Sequence, residues 1–295
     1  MLLTIRPMVR DDLDDAVASI RDGGWGDRRS WFEFALDHEA CDPLVAFDGD
    51  RIVGTGAGTR NGRAGWVGTI FVAPDRRREG IGRAITEVVC ERLEAAGCTT
   101  LLLVATDLGR PVYERLGFEG DGWYRVLEAE GTGEASTVEG SRSRASGPHA
   151  FERLAAAGVR PFTPGDLEEA SDLDTLATGE DRRHLLEAFA GVPRNLALRS
   201  ASGELRGFVA RGPWGGGATV AATAEEAERL LGARLATAPA GHQVRAGLLE
   251  ANQAGIERLH ELGWTDARRI VRMRRGAPLD WRPQMIWGQF NFATG

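Results

Sequence analysis

Apolar and polar positions in the first half of the chain follow two periods, one typical of strands and one typical of helices. From Trp66 to Ala73 the sequence is a nearly continuous apolar run, which Pro74 ends. Such a run is typical of a buried strand. Beyond it the apolar residues keep helical spacing, at Ile81, Ile85, Val88, Val89 and Leu93. The stretch between them, RRREGIG, therefore connects a buried strand to an amphipathic helix.

The same patterns predict further elements along the first half. Strands are predicted near residues 3–8, 43–48, 51–58, 64–73, 99–105 and 123–128, and helices near 11–21, 30–38, 80–96 and 110–116. The glycine-rich segment Gly54–Gly58 is followed by a strand-like segment, so we interpret it as a bulged or flexible strand. Strands and helices in this order predict an α/β unit.

Three segments of the first half recur in the second half in the same order. They pair Arg6–Ala16 with Arg160–Ala170, Leu44–Gly58 with Leu196–Gly212, and Pro111–Phe118 with Glu257–Trp264. The first pair predicts a strand followed by an acidic helix start, the second two strands around a polar turn, and the third a short helix that ends at a glycine. Three matches in one order indicate an internal duplication of one α/β unit.

The middle of the chain divides the two copies. Between about Gly131 and Pro148 the residues are small and polar and have no hydrophobic period, as in linkers. We therefore predict a first domain at 1–130, a linker at 131–150 and a second domain at 151–295. A chain of 295 residues that is 42% hydrophobic can bury a core in each.

Charge and composition exclude several classes of function. The formal net charge of −7 argues against a nucleic-acid partner and suits a cationic small substrate. All 36 basic residues are arginines, which excludes mechanisms that need a lysine Schiff base or a phosphate-loop lysine. The five histidines have no metal-ligand spacing, so no metal site is expected.

Cysteine usage and the N-terminal sequence bear on the compartment. The three cysteines, Cys41, Cys90 and Cys98, have no C-x-x-C spacing, and no signal peptide or membrane-spanning window is evident. We therefore expect a soluble protein of the reducing cytoplasm, without a membrane partner.

The loop before the predicted helix at 80–96 has features of an anion site. No Ser, Thr, Asp or Asn precedes the helix to accept hydrogen bonds from its first N–H groups. Gly80 and Gly82 let the backbone approach a bulky anion, and the helix dipole and flanking arginines favour its charge. A turn softened by glycines is the alternative interpretation.

The second copy provides an internal comparison. In the corresponding place Thr223 and Glu226 have the spacing of a capping box, and Glu225 and Glu226 put negative charge in the first turn. This helix start is predicted to cap itself and to repel a phosphate. One copy thus has the pattern of a retained anion site and the other that of a lost one.

The combined motifs resemble the GNAT superfamily of acyl-CoA N-acyltransferases. The resemblance lies in Val72-x-Pro74, then Arg77-x-x-Gly80-x-Gly82 opening a helix, and finally the Tyr113–Phe118 ending, and it covers most of the first half. The second half, and the stretch Ala105–Pro111, are similar to tandem GNAT proteins whose C-terminal domain is degenerate. The resemblance implies an α/β fold of the α+β kind with a mixed sheet, in two tandem GNAT-like domains of which the first is catalytic.

The resemblance also implies roles for particular residues and acetyl-CoA as the co-substrate. Tyr113 would be the general acid near the sulfur, because a positioned phenol can protonate a leaving thiolate. Thr106 stands where many members have an asparagine that contacts CoA, which leaves that contact open. The expected CoA-binding residues are Ile70, Phe71 and Val72 along the strand, Arg77, Arg78, Glu79, Gly80, Ile81, Gly82 and Arg83 at the helix start, and Thr106.

The acceptor side is less defined by the sequence. The resemblance implies an amine acceptor, facing the segment Gly23–Phe34, whose aromatic and acidic residues could hold a cation. Alternatively, Trp31 and Phe34 form a buried helix stripe. Thr69 and Leu101 stand where some members have a glutamate base. Carboxylates or imidazoles that could act as the base are Glu33, Asp37, His38 and Asp107.

The second copy has Leu259 at the position of Tyr113 and so lacks the proton donor. We expect this half to shape the acceptor cleft or an interface, which leaves a homodimer open. The hypothesis is an acetyltransferase acting on a small amine. An acyl-CoA sensor without turnover and an interaction scaffold that binds no nucleotide are the alternatives.

Overall fold

A computed structural model describes residues 3–133, 158–289 and 291–295 of the protein. Within it the chain divides into two compact units that are not sequential. The first consists of residues 1–121, 271–279 and 292–295, and the second of 122–270 and 280–291. The linker predicted at 131–150 lies almost entirely outside the described residues.

The first unit contains a mixed sheet with helices on both faces. Its elements are β1 (Leu3–Pro7), α1 (Leu13–Asp22), α2 (Arg29–Asp37), β2 (Cys41–Asp48), β3 (Arg51–Asn61), β4 (Ala64–Val72), α3 (Ile81–Ala95), β5 (Thr100–Ala105) and α4 (Arg110–Arg115). Strands β1 to β4 pair in order and antiparallel, and β5 is parallel to β4. The elements predicted for this part of the chain and the mixed sheet are confirmed, with ends that shift by a few residues.

The second unit repeats this order. Its elements are β7 (Val159–Pro161), α5 (Leu167–Thr178), α6 (Arg183–Phe189), β8 (Leu196–Arg199), β9 (Leu205–Gly212), β10 (Gly215–Ala221), α7 (Ala224–Thr237), β11 (Gln243–Leu249), α8 (Gln253–Glu261) and β13 (Ile286–Gly288). Two strands, β6 (Glu119–Glu130) and β12 (Thr265–Gly276), are divided between the units. One sheet has the order β13-β10-β9-β8-β7, and β6 pairs separately with β11. Its core includes Leu127, Leu198, Leu230 and Trp287.

The duplicated start of each copy has the same contacts. Arg6 donates to both carboxylate oxygens of Asp12, at 2.7 and 2.8 Å, and Asp12 accepts from the Val9 amide at 2.8 Å. Arg160 and Asp166 form the equivalent pair, and Asp166 accepts from the Thr163 amide at 2.8 Å. In each copy the carboxylate fixes the turn that leads into the first helix.

Two strands are exchanged between the sequential halves. Residues Val271–Gly276 of β12 belong to the first unit and pair antiparallel with β5, from Val271↔Ala105 to Gly276↔Thr100. Strand β6 instead lies largely in the second unit and pairs with β11. The sequential boundaries 1–130 and 151–295 therefore differ from the compact units, because a strand of each half completes the sheet of the other unit.

Glycines in β3 and β4 bring the sheet close to α3. A Cβ on Gly54 would lie 2.7 Å from Ile85 Cδ1, and one on Gly56 would lie 2.5 Å from Ile85 Cγ2. On Gly65 it would lie 3.1 Å from Leu93 Cδ1. The segment interpreted as a bulged strand is indeed β3, with an irregular register toward β4. Its glycines allow α3 to pack directly on the backbone.

The strand exchange makes a prediction about the isolated first half. Residues 1–130 alone lack β12, so the backbone groups along one edge of β5 lose their partners. We expect this fragment to show no cooperative thermal transition by circular dichroism. Appending residues 271–279 through a flexible linker should restore the transition, and a scrambled version of that appendix should not. A cooperative transition in the fragment alone would contradict the structural role of β12.

Candidate active site

The turn before α3 leaves the start of this helix open. Gly80 is the N-cap with φ +83°, no side chain caps the helix, and no acidic residue lies in its first turn. Arg78 also has a positive φ, +69°. The first N–H groups of an α-helix have no partner within the helix. They form, with the positive end of the helix dipole, a place for an anion.

Ion pairs fix this turn without filling the helix start. Arg76 bonds to Asp48 at 2.6 Å and to Glu79 at 3.0 Å, so the negative charge of Glu79 is neutralised beside the loop. Arg77 Nε donates to the carbonyl oxygen of Val72 at 3.3 Å, which ties the loop to the end of β4. Arg83 pairs with Glu87, one turn further along. Ile81 is buried, whereas Arg77, Arg78, Gly80 and Arg83 are exposed.

Strands β4 and β5 separate next to this helix start. They pair only at Ala64↔Thr100, Gly65↔Leu101 and Trp66↔Leu102, although β4 continues to Val72 and β5 to Ala105. Within the described residues no strand pairs with the β5-facing edge of β4 beyond Trp66. The backbone groups of this edge are available to an extended ligand, as in a strand addition.

A bulge distorts β4 in the middle of the separated segment. Thr69 has φ +53°, and the register toward β3 shifts between Thr55 and Ala57. The Thr55 hydroxyl donates to the Thr69 carbonyl at 3.0 Å and holds this conformation. Ile70 and Val72 are half-buried and Phe71 is buried. The structure thus places the three strand residues expected to contact CoA just beyond the bulge.

Tyr113 lies on α4, which starts at the turn after β5. Its ring is against Gly109, where a Cβ would lie 3.0 Å from Tyr113 Cε2, and packs edge-on to Phe118 at 6.2 Å between centroids. Burial, as the larger cause, and the Cys90 thiol, as the smaller one, raise the pKa of Tyr113 to about 12. The hydroxyl therefore keeps its proton at neutral pH. The described part of the chain provides no hydrogen-bond partner for it, so this proton can be donated to a ligand.

Thr106 has a local structural role. Its carbonyl accepts from the amides of Gly109 and Arg110, at 3.0 and 2.9 Å, and its hydroxyl accepts from Gly109 at 3.3 Å. These bonds form the turn that leads into α4. The hydroxyl is exposed and retains its own proton for a further contact.

The corresponding places of the second copy are filled. Thr223 caps α7 by accepting from the Glu226 amide at 3.3 Å, and Glu226 bonds to the Thr223 hydroxyl at 2.9 Å and to Arg206 at 2.7 Å. Leu259, at the position of Tyr113, is fully buried. Strand β13 pairs with the edge of β10 at Thr219 and Val220, where the first copy leaves β4 free. The predicted self-capping of this helix is confirmed.

The segment expected to face the acceptor combines core and exposed residues. Trp31 is buried and Phe34 is half-buried, so the helix-stripe interpretation holds for Trp31 and only in part for Phe34. Trp25 is 39% exposed and packs edge-on to Phe71, at 5.6 Å between the ring centroids. The Phe71 ring lies against the Gly23 backbone, since a Cβ there would be 2.4 Å from Phe71 Cε2. No pattern in the sequence predicts that this loop contacts β4.

The residues considered as a general base differ in their contacts. Glu33 lies 3.8 Å from Arg29, Asp37 pairs with Arg10, and His38 Nδ1 accepts from the Ala40 amide at 3.3 Å. Asp107 is exposed in the turn before α4. The structure records no ion pair or hydrogen bond for its carboxylate within the described ranges.

The described residues contain no cluster typical of a metal centre. In them no group of three or more His, Cys, Asp or Glu side chains is placed to hold a metal ion. No helix of residues 3–133, 158–289 or 291–295 combines the length and the apolar composition of a membrane span.

Both halves of the chain match models of known protein families. The family model described as "Acetyltransferase (GNAT) family" matches residues 8–118, and the one described as "Acetyltransferase (GNAT) domain" matches residues 170–288. Together the two matches cover most of the chain. The chain belongs to the GNAT acetyltransferase family and contains two GNAT domains in tandem.

Similar proteins of known structure include whole-length neighbours. A Pyrococcus horikoshii protein assigned as an acetyltransferase is 23% identical, covers 99% of this chain and 96% of its own, and gives a TM-score of 0.77. A tandem GNAT protein from the clavulanic acid biosynthesis pathway is 18% identical, covers 95% and 100%, and gives a TM-score of 0.59. At these identities the likeness shows the fold.

One curated relative is similar over a short segment. A Trypanosoma brucei brucei protein named glucosamine 6-phosphate N-acetyltransferase is 38% identical over 61 residues. The match spans 20% of this chain and 42% of the relative.

The cap of α7 makes a testable contrast with the open start of α3. Replacing Thr223 by Ala removes the acceptor for the Glu226 amide, and we expect it to lower the free energy of unfolding by about 1 kcal/mol. Thr223→Ser keeps the hydroxyl and should stay close to wild type. Urea unfolding measures both, and equal stabilities of the Ala and Ser variants would show that the cap contributes nothing.

Proposed function

We propose that the protein is an acetyltransferase that transfers the acetyl group of acetyl-CoA directly to a primary amine of a small acceptor. The observation that supports this most is the uncapped start of α3 beside the separated strands β4 and β5. An anion-binding helix end next to a free strand edge fits a ligand that carries a diphosphate and an extended amide-containing arm. The family membership supports the same donor.

The residues at the helix start fit such a donor. A Cβ on Gly82 would have one neighbour within 4 Å, Val72 Cγ2 at 3.4 Å, and one on Gly80 would have none, so the backbone is accessible there. The amides of Arg78 to Arg83 would hold the diphosphate, with Arg77 alongside. The main chain of Ile70, Phe71 and Val72 would hold the arm along β4, and Thr106 would contact it from the turn after β5.

In the proposed reaction, Tyr113 donates a proton to the departing thiolate sulfur. Acetyl-CoA, when bound, would supply an acetyl group activated as a thioester. The pKa of about 12 keeps the Tyr113 hydroxyl protonated at neutral pH. It also makes the phenol a weaker acid than free tyrosine, so the proton moves as negative charge develops on the departing sulfur rather than earlier. Backbone amides near the β4 bulge would polarise the carbonyl.

The acceptor side fits a small amine. A protonated amine must lose a proton before it attacks the thioester. Among the four candidate bases, Asp107 has no hydrogen bond or ion pair with another described residue. We therefore assign Asp107 the role of general base, acting through a water molecule. The relative named for glucosamine 6-phosphate supports a small-molecule amine as the acceptor class. In the second domain the start of α7 is capped and the edge of β10 is paired with β13. Both features support a second domain that takes no part in catalysis. A cytoplasmic location and a homodimer stay predictions.

An acyl-CoA sensor is the alternative function. It is favoured by the contacts that engage Glu33, Asp37 and His38, which leave few groups free to act as a base. Incubation with acetyl-CoA and a panel of amines that includes glucosamine 6-phosphate distinguishes the two functions. Release of free thiol above the uncatalysed rate supports the enzyme, and CoA binding without release on any amine supports the sensor.

A charge introduced at the start of α3 should abolish CoA binding. Gly82→Glu puts a carboxylate where the diphosphate would bind, and the space around Gly82 lets the variant fold. We expect calorimetry to show at least a 100-fold loss of CoA affinity. Ala224→Glu adds the same charge at the first residue of α7 and should leave affinity unchanged. Equal effects of the two variants would contradict the site.

Removal of the Tyr113 hydroxyl should affect turnover and not binding. We expect Tyr113→Phe to keep the CoA affinity within about twofold and to lower kcat by at least tenfold, since general-acid catalysis contributes roughly 10²–10⁴-fold. Because the pKa of Tyr113 is raised, no alkaline loss of activity from this group is expected below about pH 11. A parallel loss of affinity and turnover would assign Tyr113 a binding role instead.

A further inference from the structure

The last residues of the chain lie against the strand that would hold the donor. Phe292–Gly295, here called the C-terminal segment, belong to the first unit. Asn61 Nδ2 donates to the Thr294 carbonyl at 2.9 Å, and both residues are fully buried. A Cβ on Gly68 would lie 2.3 Å from the Ala293 Cβ. Ala293 therefore occupies the space that a side chain at position 68 of β4 would fill.

The C-terminal segment covers the face of β4 that is turned away from α3. The side chain position of Gly65 faces Leu93 of α3. Successive residues of a strand point to opposite faces, so Gly68, three residues along a regular stretch, faces away from α3. Past the bulge, Ile70 points toward α3, because its Cδ1 shares with Ile85 and Val89 the space above Gly56. Phe71 then points to the same face as Gly68.

This face is the one that an acceptor must use. Under the proposed function the donor arm lies along the free edge of β4, and its diphosphate lies at the start of α3. Helix α3 packs directly on the glycines of β3 and β4 and closes one face of the sheet. An amine can therefore reach the reacting carbonyl only from the opposite face.

The opening on this face is bounded on both sides. Toward the start of β4, Ala293 covers Gly68, and toward its end the Gly23 backbone and Trp25 cover Phe71. Only Thr69 and Ile70 lie between these boundaries. Gly68 and Phe71 are three residues apart, which corresponds to about 10 Å along a strand. The opening between them is narrower than this distance by the van der Waals radii of the atoms on both sides. An opening of this width would admit the chain of a slender alkyl amine and would exclude a branched or ring-bearing one.

We propose that the C-terminal segment, through Ala293, is a specificity-determining wall of the acceptor site that admits slender primary amines and excludes bulky ones. The inference rests on the proposed function and names the acceptor class for that site. It assigns a role to a part of the chain that lies more than two hundred positions from β4 in the sequence.

The test compares amines of different width in matched variants. Calorimetry with the CoA-saturated protein would measure the affinity for propylamine and for tryptamine, and thiol release from acetyl-CoA would measure the ratio of their kcat/KM values. In a chain that ends at Asn291 we expect tryptamine affinity to rise at least fivefold and propylamine affinity to change less than twofold. Asn61→Ala, which releases the Thr294 carbonyl, and Ala293→Gly should shift selectivity in the same direction by less.

Controls separate the wall from general stability. Ala277→Gly removes the same methyl group at an exposed position of the first unit and should leave selectivity unchanged. If the shortened chain fails to fold, the two single substitutions decide the outcome. Unchanged selectivity, or an equal loss of affinity for both amines, overturns the inference while CoA binding is retained. If the wild-type protein binds no CoA, the proposed function is overturned, and the inference with it.

Discussion

The unpaired N–H groups at the start of α3 are the constraint on which the candidate site depends. A helix start needs acceptors for these groups, and most helices take them from a Ser, Thr, Asp or Asn side chain. Here the N-cap is a glycine with positive φ, and the nearest acid, Glu79, is bound by Arg76. The positive helix end therefore remains open to an anion. At the start of α7, by contrast, the Thr223 hydroxyl accepts a hydrogen bond from the Glu226 amide and donates one to the Glu226 carboxylate, so this helix start is capped by its own residues.

The same principle of satisfied and unsatisfied backbone groups distinguishes the strands. Separation of β4 from β5 leaves a strand edge free beside α3, whereas β13 pairs with the equivalent edge of β10. On its other side β5 is completed by β12. Within the described residues, the first unit thus combines an open helix end with an open strand edge, and the second unit closes both.

The two faces of β4 have different tasks. One face carries the glycines on which α3 packs, and this close packing fixes the helix start relative to the strand edge. The other is covered at Gly68 by Ala293 and at Phe71 by Gly23 and Trp25, which leaves a short stretch around the bulge at Thr69. Close approach through glycine sets both boundaries, since a side chain at Gly23 or Gly68 would displace its neighbour. Tyr113 lies on α4, and its hydroxyl has no hydrogen-bond partner among the residues that the structure describes.

The order and type of the elements, the duplication and the open helix start follow from the amino-acid sequence alone. Each of these depends on residues close together in the chain: the run Trp66–Ala73, the spacing of the apolar residues in α3, and a cap that is present at Thr223 and absent at Gly80. Three further features are visible in the folded chain and in no local pattern: the exchange of β6 and β12, the separation of β4 from β5, and the contact of Ala293 with Gly68. They could not be predicted because strand pairing and close packing join residues far apart in sequence. The local pattern of a strand shows that it will pair, but it does not specify which distant edge it will meet.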